Sequence, residues 1–196
     1  MKINQQMKTT MSLAAAMGSL ALAATSANAA VINIDGYVIA TGAGVLVPHS
    51  GGWGDATGNE LNDNVTDGIT YWENNVGWYY EGGDRPLVTF DLGAVYDLST
   101  IQVYSRTSNG TIASIDISTS LDDSTYSGVT GYAYTAPSGT IDVSAENYAR
   151  YVRFTPISPD WAMISEVDFN GTAVPEPTTT ALLGLGGLAL ILRRRK

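Results

Sequence analysis

The stretch PLVTFDLGAVYDLSTIQVYSR, residues 86–106, contains two runs in which apolar and polar side chains alternate. In the first run Val88, Phe90 and Leu92 fall on one face, and in the second Ile101 and Val103 do. Alternation with a period of two, carried by β-branched and aromatic residues, is typical of strands with one buried face. This stretch therefore predicts two β-strands, at 86–92 and 101–106.

The same alternation recurs further along the chain. Three more runs show it: 112–120, 150–154 and 163–169. Turn-forming residues such as Gly82-Gly83-Asp84 and Pro137-Ser138-Gly139 lie between the runs, and no stretch between residues 30 and 174 has a helical period. Short strands separated by turns predict an antiparallel β-sandwich or jelly roll. The glycine-rich, polar stretch 42–59 predicts a long loop.

The N-terminus reads as a targeting segment. Residues 11–24 are apolar after a weakly positive start, and Ala27-Asn28-Ala29 supplies the small residues that signal peptidase requires. We therefore expect residues 1–29 to be a secretory signal peptide with a helical core. The alternative is a buried N-terminal helix.

The C-terminal segment VPEPTTTALLGLGGLALILRRRK, residues 174–196, places twelve apolar or glycine residues between a Pro-Glu-Pro sequence and four cations. As a helix, residues 181–192 would cover about 18 Å at about 1.5 Å per residue, whereas a bilayer core is about 30 Å thick. The basic tail would stay on the cytoplasmic side. These features favour transient membrane insertion over permanent residence, with a simple tail anchor as the alternative.

The body between these ends, residues 30–174, is strongly acidic. It holds 18 of the 19 acidic residues and only 4 of the 10 basic ones, so its formal charge is −14. Nucleic-acid binding depends on cations that displace counterions from phosphates, so nucleic acid is excluded as a partner. The chain has no cysteine. Clustered carboxylates without lysine partners favour a hard cation such as calcium as a structural cofactor.

Catalysis has little support in the sequence. A Cys/His site is excluded, and a Ser-His-Asp triad would have to use His49, the single histidine. No serine lies in a nucleophile-elbow context. A glycosidase with two carboxylates is the remaining alternative, because acidic residues are abundant. No motif positions such a pair, and we expect a protein that is not an enzyme.

The order of the segments resembles the discoidin, or factor V/VIII type C, family. The matching segments are VTDG (65–68) followed by Trp72, PLVTFDLG (86–93), STIQVYSR (99–106), IDISTSLDDSTYS (115–127), ARYVRF (149–154) and ISEVDFNG (164–171). Asp123 replaces the usual turn glycine, and Tyr126 stands where tryptophan is common. The resemblance implies an all-β, eight-stranded antiparallel jelly-roll β-sandwich of the galactose-binding type. Such non-catalytic domains bind glycans, lipid headgroups or proteins through loops at one end.

This resemblance sets the expected domain organisation. Residues 65–171 would form the sandwich core, and residues 30–64 the N-terminal strands and glycine-rich loop. The resemblance also implies a structural calcium site. Its ligands would be Asp67, Thr70 and Glu166, with backbone carbonyls near Asn64, Ile69 and Ser165. Calcium takes six to eight oxygens in flexible geometry, which such a set can supply. The alternative is a plain Asp-Gly turn and an exposed strand glutamate.

A ligand face is predicted in the aromatic stretch 72–85 and the loops near it. Sugar binding needs an aromatic platform and directional polar groups. The candidate ligand-binding residues are Trp78, Tyr79, Arg85, Trp53 and Trp161, with His49 placed to converge on them. For Trp72 we favour core packing. Arg150 and Arg153 are better explained as structural residues that pair with carboxylates, and His49 alone as a solvated loop residue.

The C-terminal segment resembles the PEP-CTERM sorting signal of Gram-negative bacteria. Pro175, Glu176 and Pro177 are followed by an apolar stretch and by Arg193, Arg194 and Arg195. The resemblance implies that residues 172–196 are recognised by an exosortase-type membrane protease, cleaved, and that the protein reaches the cell surface or secreted matrix. We expect an exported module that binds a glycan, such as exopolysaccharide. The alternative is a structural surface protein that binds calcium or protein partners without a sugar pocket.

Overall fold

The computed structural model describes residues 29–41, 44–45, 47–49, 54–55, 57–66, 75–80, 84–106, 112–135, 137–146 and 148–175. This part of the chain forms nine strands and a 3-10 turn at Ser144–Glu146, with no α-helix. The strands are β1 (Ala30–Ile32), β2 (Gly36–Ile39), β3 (Val76–Tyr79), β4 (Val88–Ser105), β5 (Ser114–Ser120), β6 (Thr130–Ala133), β7 (Ser138–Asp142), β8 (Tyr148–Ile157) and β9 (Trp161–Ala173). The all-β prediction is confirmed. The predicted signal and sorting helices lie outside the described residues.

Strand β4 organises the sheet. It is 18 residues long and joins the two strands predicted at 86–92 and 101–106. Its first part, to Asp91, pairs antiparallel with β2 and β8, and its last part, from Thr100, pairs with β9 and β7. Between them, Tyr96 and Asp97 pair with both β8 and β9. The nine described strands therefore form one continuous antiparallel sheet. We call β2, β8 and the first part of β4 one layer, and β7, β9 and the last part of β4 the other layer.

The change of partners occurs at a bend in β4. The register with β8 shifts between Asp91 and Tyr96, and Gly93 in that interval has a φ of 78°. Glycine is suited to this left-handed conformation because it has no Cβ. The N–H of Gly93 donates to Asp91 Oδ1 at 2.9 Å. Arg150 donates to both oxygens of the same carboxylate, at 3.0 and 3.1 Å, and this lowers the pKa of Asp91. The structural role predicted for Arg150 is confirmed.

The core lies where the two halves of β4 face each other. Phe90 is fully buried, and its ring centroid is 5.4 Å from that of Tyr37, 6.1 Å from Phe154 and 5.0 Å from Phe169. These partners come from β2, β8 and β9, so one ring joins strands of both layers. The residues that the alternation places on the inner face are buried as predicted: Val88, Leu92, Ile101, Val103, Ile115, Ile117, Val152, Phe154, Val167 and Phe169.

The strands β3, β6 and β7 were not predicted from the sequence, and β1 and β2 were expected only as N-terminal strands without bounds within residues 30–64. β1, β2, β3, β6 and β7 are only three to five residues long, which is too short to display a clear period. The described parts of the predicted loop at 42–59 contain only an isolated bridge between Val45 and Arg85. Among the described residues, no helix has the length and apolar character needed to cross a membrane.

Close packing of β9 against β4 depends on Gly171. A Cβ added there would lie 2.7 Å from the carbonyl oxygen of Asp97 and 3.2 Å from the Cα of Leu98. Because backbone atoms cannot move aside easily, Gly171→Ala should lower the free energy of unfolding by about 1–3 kcal/mol. The matched control is Gly128→Ala, whose Cβ would meet nothing within 4 Å. Equal melting temperatures for the two variants would contradict this packing.

Candidate functional site

Three aromatic rings meet at one end of the β3–β9 pair. Tyr79 and Trp161 are partners across the two strands, and their ring centroids are 4.8 Å apart. The His49 ring is tilted by 56° against the same tryptophan, with a centroid distance of 5.2 Å, and the backbone N–H of His49 donates to the carbonyl of Gly77 at 2.8 Å. His49 and Tyr79 are exposed and Trp161 is half-buried. We call His49, Tyr79 and Trp161 the aromatic cluster.

The position of Trp78 differs from the prediction. The sequence placed Trp78 and Tyr79 in a loop, but both belong to β3, where neighbouring side chains point to opposite faces. Trp78 is fully buried in the core. Because none of its surface is accessible, the prediction that Trp78 contacts a ligand does not fit the structure. Tyr79, which is 39% exposed, carries the outward position instead.

A turn between β8 and β9 fixes Trp161. Ser158 Oγ donates to the carbonyl of Trp161 at 2.5 Å, and it accepts the N–H of Asp160 at 3.3 Å. The N–H of Tyr80 donates to the carbonyl of Asp160 at 2.8 Å, and its hydroxyl donates to the carbonyl of Pro156. Both ends of the aromatic cluster are thus tied to the sheet by backbone contacts.

A carboxylate is buried away from this cluster. Glu166 on β9 is 1% exposed, and its Oε2 accepts the N–H groups of Asp63 at 3.1 Å and Asn64 at 2.9 Å. Its Oε1 is buried without a hydrogen-bond partner in the described part of the chain. Burial, together with the charges of Asp168 and Asp63, raises the pKa of Glu166 to about 7. The alternative that Glu166 is an exposed strand residue is therefore wrong.

Two family models match the chain. The model of the F5/8 type C domain covers residues 49–167, which is more than half of the sequence. The chain belongs to the F5/8 type C domain family. The model of the PEP-CTERM protein-sorting motif covers residues 173–196. That motif implies processing by an exosortase and export to the cell envelope or surface. No curated protein matches the sequence as a relative.

Solved structures share the fold of this F5/8 type C domain. A fucose binding module of Streptococcus pneumoniae is 14% identical over 71% of this chain and 94% of its own, with a TM-score of 0.54. CpGH89CBM32-5 of Clostridium perfringens, solved with GalNAc-β-1,3-galactose, is 12% identical over 71% and 99%, with a TM-score of 0.51. An f-lectin from striped bass serum (Morone saxatilis) is 15% identical over 76% and 52%, with a TM-score of 0.55. At these identities the similarity concerns the fold.

The F5/8 type C domain brings together only some of the predicted ligand residues. Tyr79, Trp161 and His49 converge as the sequence suggested, while their part in binding stays a prediction. Arg85 is exposed and lines a separate groove on the outer face of β5 and β8. Trp53 lies outside the described residues.

Arg153 does not pair with a carboxylate, contrary to the prediction. In the part of the chain that the structure describes it forms no ion pair, and its guanidinium carbon lies 3.6 Å from the centroid of the Tyr126 ring. No sequence signal separates it from Arg150 on the same strand, because the difference lies in which residues the neighbouring strands place beside each one.

The described residues fit the predicted cation in one respect. A buried carboxylate oxygen without a partner is chemically suited to a hard cation such as calcium. Asp67 and Thr70 lie outside the described residues, so Glu166 is the one predicted side-chain ligand whose surroundings are known. Within the described ranges, no group of three acidic or histidine side chains could hold a metal.

In metal-free protein, Glu166 should make stability depend on pH. Its folded pKa of about 7 exceeds the ordinary value of 4.5, so its contribution is fully present below pH 4.5 and is lost as pH rises through about 7. Glu166→Gln cannot titrate. Chemical denaturation in a chelator, at pH 4.5 and pH 8, should show a smaller loss of stability in the variant. Equal losses in both proteins would show that the carboxylate titrates normally.

Proposed function

We propose that this F5/8 type C domain is an exported, non-catalytic carbohydrate-binding module whose sugar platform is the aromatic cluster. The observation that carries the proposal is the contact of three partly exposed rings at one end of the sheet. The apolar C–H face of a pyranose can pack on Tyr79 or Trp161, since aromatic faces carry a partial negative charge. The imidazole of His49, the Tyr79 hydroxyl and the exposed Asp160 carboxylate supply directional partners for sugar hydroxyls.

Solved structures of the same fold support this choice of ligand. The compared proteins include a fucose binding module, a module solved with GalNAc-β-1,3-galactose and an f-lectin. Their names describe sugar recognition, and the resemblance to the discoidin family implies binding through loops at one end of the sandwich. The aromatic cluster lies at such an end, beside the β8–β9 turn.

The sorting motif suggests where binding occurs. In this proposal, signal peptidase removes residues 1–29, and residues 181–192 insert transiently into the inner membrane of a Gram-negative bacterium. An exosortase-type protease then cleaves near Pro175-Glu176-Pro177. The released domain stays at the cell surface or in the matrix, where the glycan at hand is the cell's exopolysaccharide.

A structural calcium ion is part of the proposal. Glu166 would hold it through the unpaired Oε1, with Asp67 and Thr70 as the other side-chain ligands. The ion would neutralise a carboxylate that is otherwise costly to bury. It would also tie the loop at 61–66 to β9, where the N–H of Val167 already donates to the carbonyl of Leu61 at 3.0 Å. If the aromatic cluster bound no sugar, this feature would favour a structural surface protein.

Removal of one ring tests the platform. Trp161→Ala should weaken binding of any glycan found on an array by about tenfold or more, because stacking and the burial of the ring are both lost. Tyr148→Ala is the matched control, since Tyr148 is 56% exposed and lies at the opposite end of β8. Titration calorimetry gives both affinities. Absence of binding to every glycan, or equal affinity in both variants, would refute the platform.

Calcium should raise the melting temperature of the exported protein. At a concentration one hundred times its Kd, a ligand specific for the folded state adds about 2.7 kcal/mol of stability. Glu166→Gln should abolish most of this gain. Asp97→Asn makes the same change of charge at a half-buried position on β4 and should keep it. A calcium effect that survives in Glu166→Gln would exclude this carboxylate as a ligand.

A further inference from the structure

The few cations of the acidic body are not all used to pair with carboxylates. Arg150 is paired with Asp91, but neither Arg85 nor Arg153 forms an ion pair with any carboxylate that the structure describes. Both line one groove of about 400 Å³ on the outer face of β5 and β8. In a body with a formal charge of −14, two unpaired guanidinium groups in one groove indicate an anionic ligand.

Arg153 is held in position before any ligand arrives. Its guanidinium lies against the face of the Tyr126 ring, whose hydroxyl donates to the Asp123 carboxylate. Burial and this hydrogen bond raise the pKa of Tyr126 to about 12, so the hydroxyl remains a donor at neutral pH. Asp123 belongs to a turn at residues 122–125. The Asp122 carboxylate stabilises this turn by accepting the N–H groups of Ser124 at 2.9 Å and Thr125 at 3.0 Å.

The stacked geometry leaves the edge of the guanidinium for recognition. A cation–π contact uses the face of the group and none of its N–H donors. The Nε of Arg153 is buried without a hydrogen-bond partner among the described residues, whereas neither of its Nη atoms is among the buried unpaired atoms, so a ligand would meet the two Nη groups. A planar guanidinium edge matches the two oxygens of a carboxylate, which a flexible ammonium group does not.

We call the groove lined by Arg85 and Arg153 the first groove. Its other residues can bind the remainder of a sugar whose carboxylate contacts the two arginines. Ser118 lies opposite Arg153 across the β5–β8 pair, and Asp116 lies opposite Thr155. Their oxygens can accept hydrogen bonds from sugar hydroxyls, and the hydroxyl groups can also donate. Val129, which is 71% exposed, offers an apolar contact to the ring. The groove volume falls in the range of about 300–1,000 Å³ that is usual for small-molecule sites.

A second groove begins on the other side of Arg153. It measures about 540 Å³ and is lined by Asp35, Asp91 and Asp123 together with Arg153. Carboxylates here would repel a second anion, but they are good acceptors for neutral sugar hydroxyls. Val38, 68% exposed, again supplies an apolar contact. The two grooves therefore differ in the sign of the charge that they favour.

We propose that the outer face of β2, β4, β8 and β5 is a second saccharide site, which binds an acidic sugar of the uronate class between Arg85 and Arg153 and a neutral neighbouring sugar in the second groove. This inference rests on the proposed function, that the domain binds glycans, and it names the class of glycan. The site is separate from the aromatic cluster, since none of the cluster's three residues lines either groove.

The test uses an oligosaccharide of alternating glucuronate and N-acetylglucosamine, and the same compound after reduction of its carboxyl groups. Titration calorimetry on the full exported protein should show at least tenfold tighter binding of the acidic form. Arg153→Gln should remove this preference, and Arg153→Lys should restore it only in part. Arg106→Gln takes the same charge from a residue that lines neither groove and should keep the preference.

Melting curves show whether each variant is folded. If Arg153→Gln does not fold, Arg85→Gln changes an exposed residue of the same groove and should lower the preference by itself. A wild-type protein that binds the acidic and reduced forms equally, with Trp161→Ala still losing affinity, would overturn this inference and leave the proposed function intact. Tighter binding of a pure polyuronate would overturn the neutral assignment of the second groove. No binding of any sugar would refute the proposed function itself.

Discussion

Asp91 holds the bend of β4 from two sides, because its carboxylate accepts the N–H of Gly93 and is paired with Arg150. Before this bend the strand pairs with β2 and β8; after it the strand pairs with β9, keeps β8 only at Tyr96 and Asp97, and gains β7 from Thr100 onward. The hydrophobic core depends on this exchange, since Phe90 before the bend can then meet Phe169 of the other layer. Both candidate sugar surfaces depend on it too. The first half of β4 forms part of the outer grooves, and the second half aligns β9, whose first residue is Trp161.

The acidity of the body makes the placement of each arginine consequential. With 18 carboxylates and four guanidinium groups, an arginine would be expected to pair by default. Arg150 does so at the bend, whereas Arg153, three residues later, lies over the Tyr126 ring and forms no ion pair in the described part of the chain. Asp123 adopts a φ of 60° and accepts a hydrogen bond from the Tyr126 hydroxyl. Aspartate adopts this left-handed conformation more readily than most residues other than glycine. Asp123 thereby holds the Tyr126 ring against which Arg153 lies.

Glu166 is another ionisable side chain without an oppositely charged partner among the described residues, and it is buried. Two backbone N–H groups stabilise one of its oxygens, but the other is buried without a partner among the described residues. A bound proton or a bound cation can neutralise the buried carboxylate. The raised pKa of Glu166 means that a proton is bound more readily than on an exposed glutamate. The sequence suggested Glu166 as a ligand only through a family resemblance. Its burial, which makes the suggestion physically sensible, is visible only once β9 lies beside the loop at 61–66.

The sequence by itself determined the all-β class, the alternating runs that form the four long strands and the C-terminal sorting motif, because alternation, apolar runs and turn residues are local properties of the chain. It predicted β4 as two strands. The inward face of those strands was also predictable, since one phase of each run is apolar. The tertiary structure decided which of Trp78 and Tyr79 faces solvent, because β3 is four residues long and its partner, β9, is distant in the sequence. It also decided that Arg150 pairs while Arg153 does not. Those outcomes depend on which strands become neighbours, and pairing between distant segments leaves no periodic trace in the residues themselves.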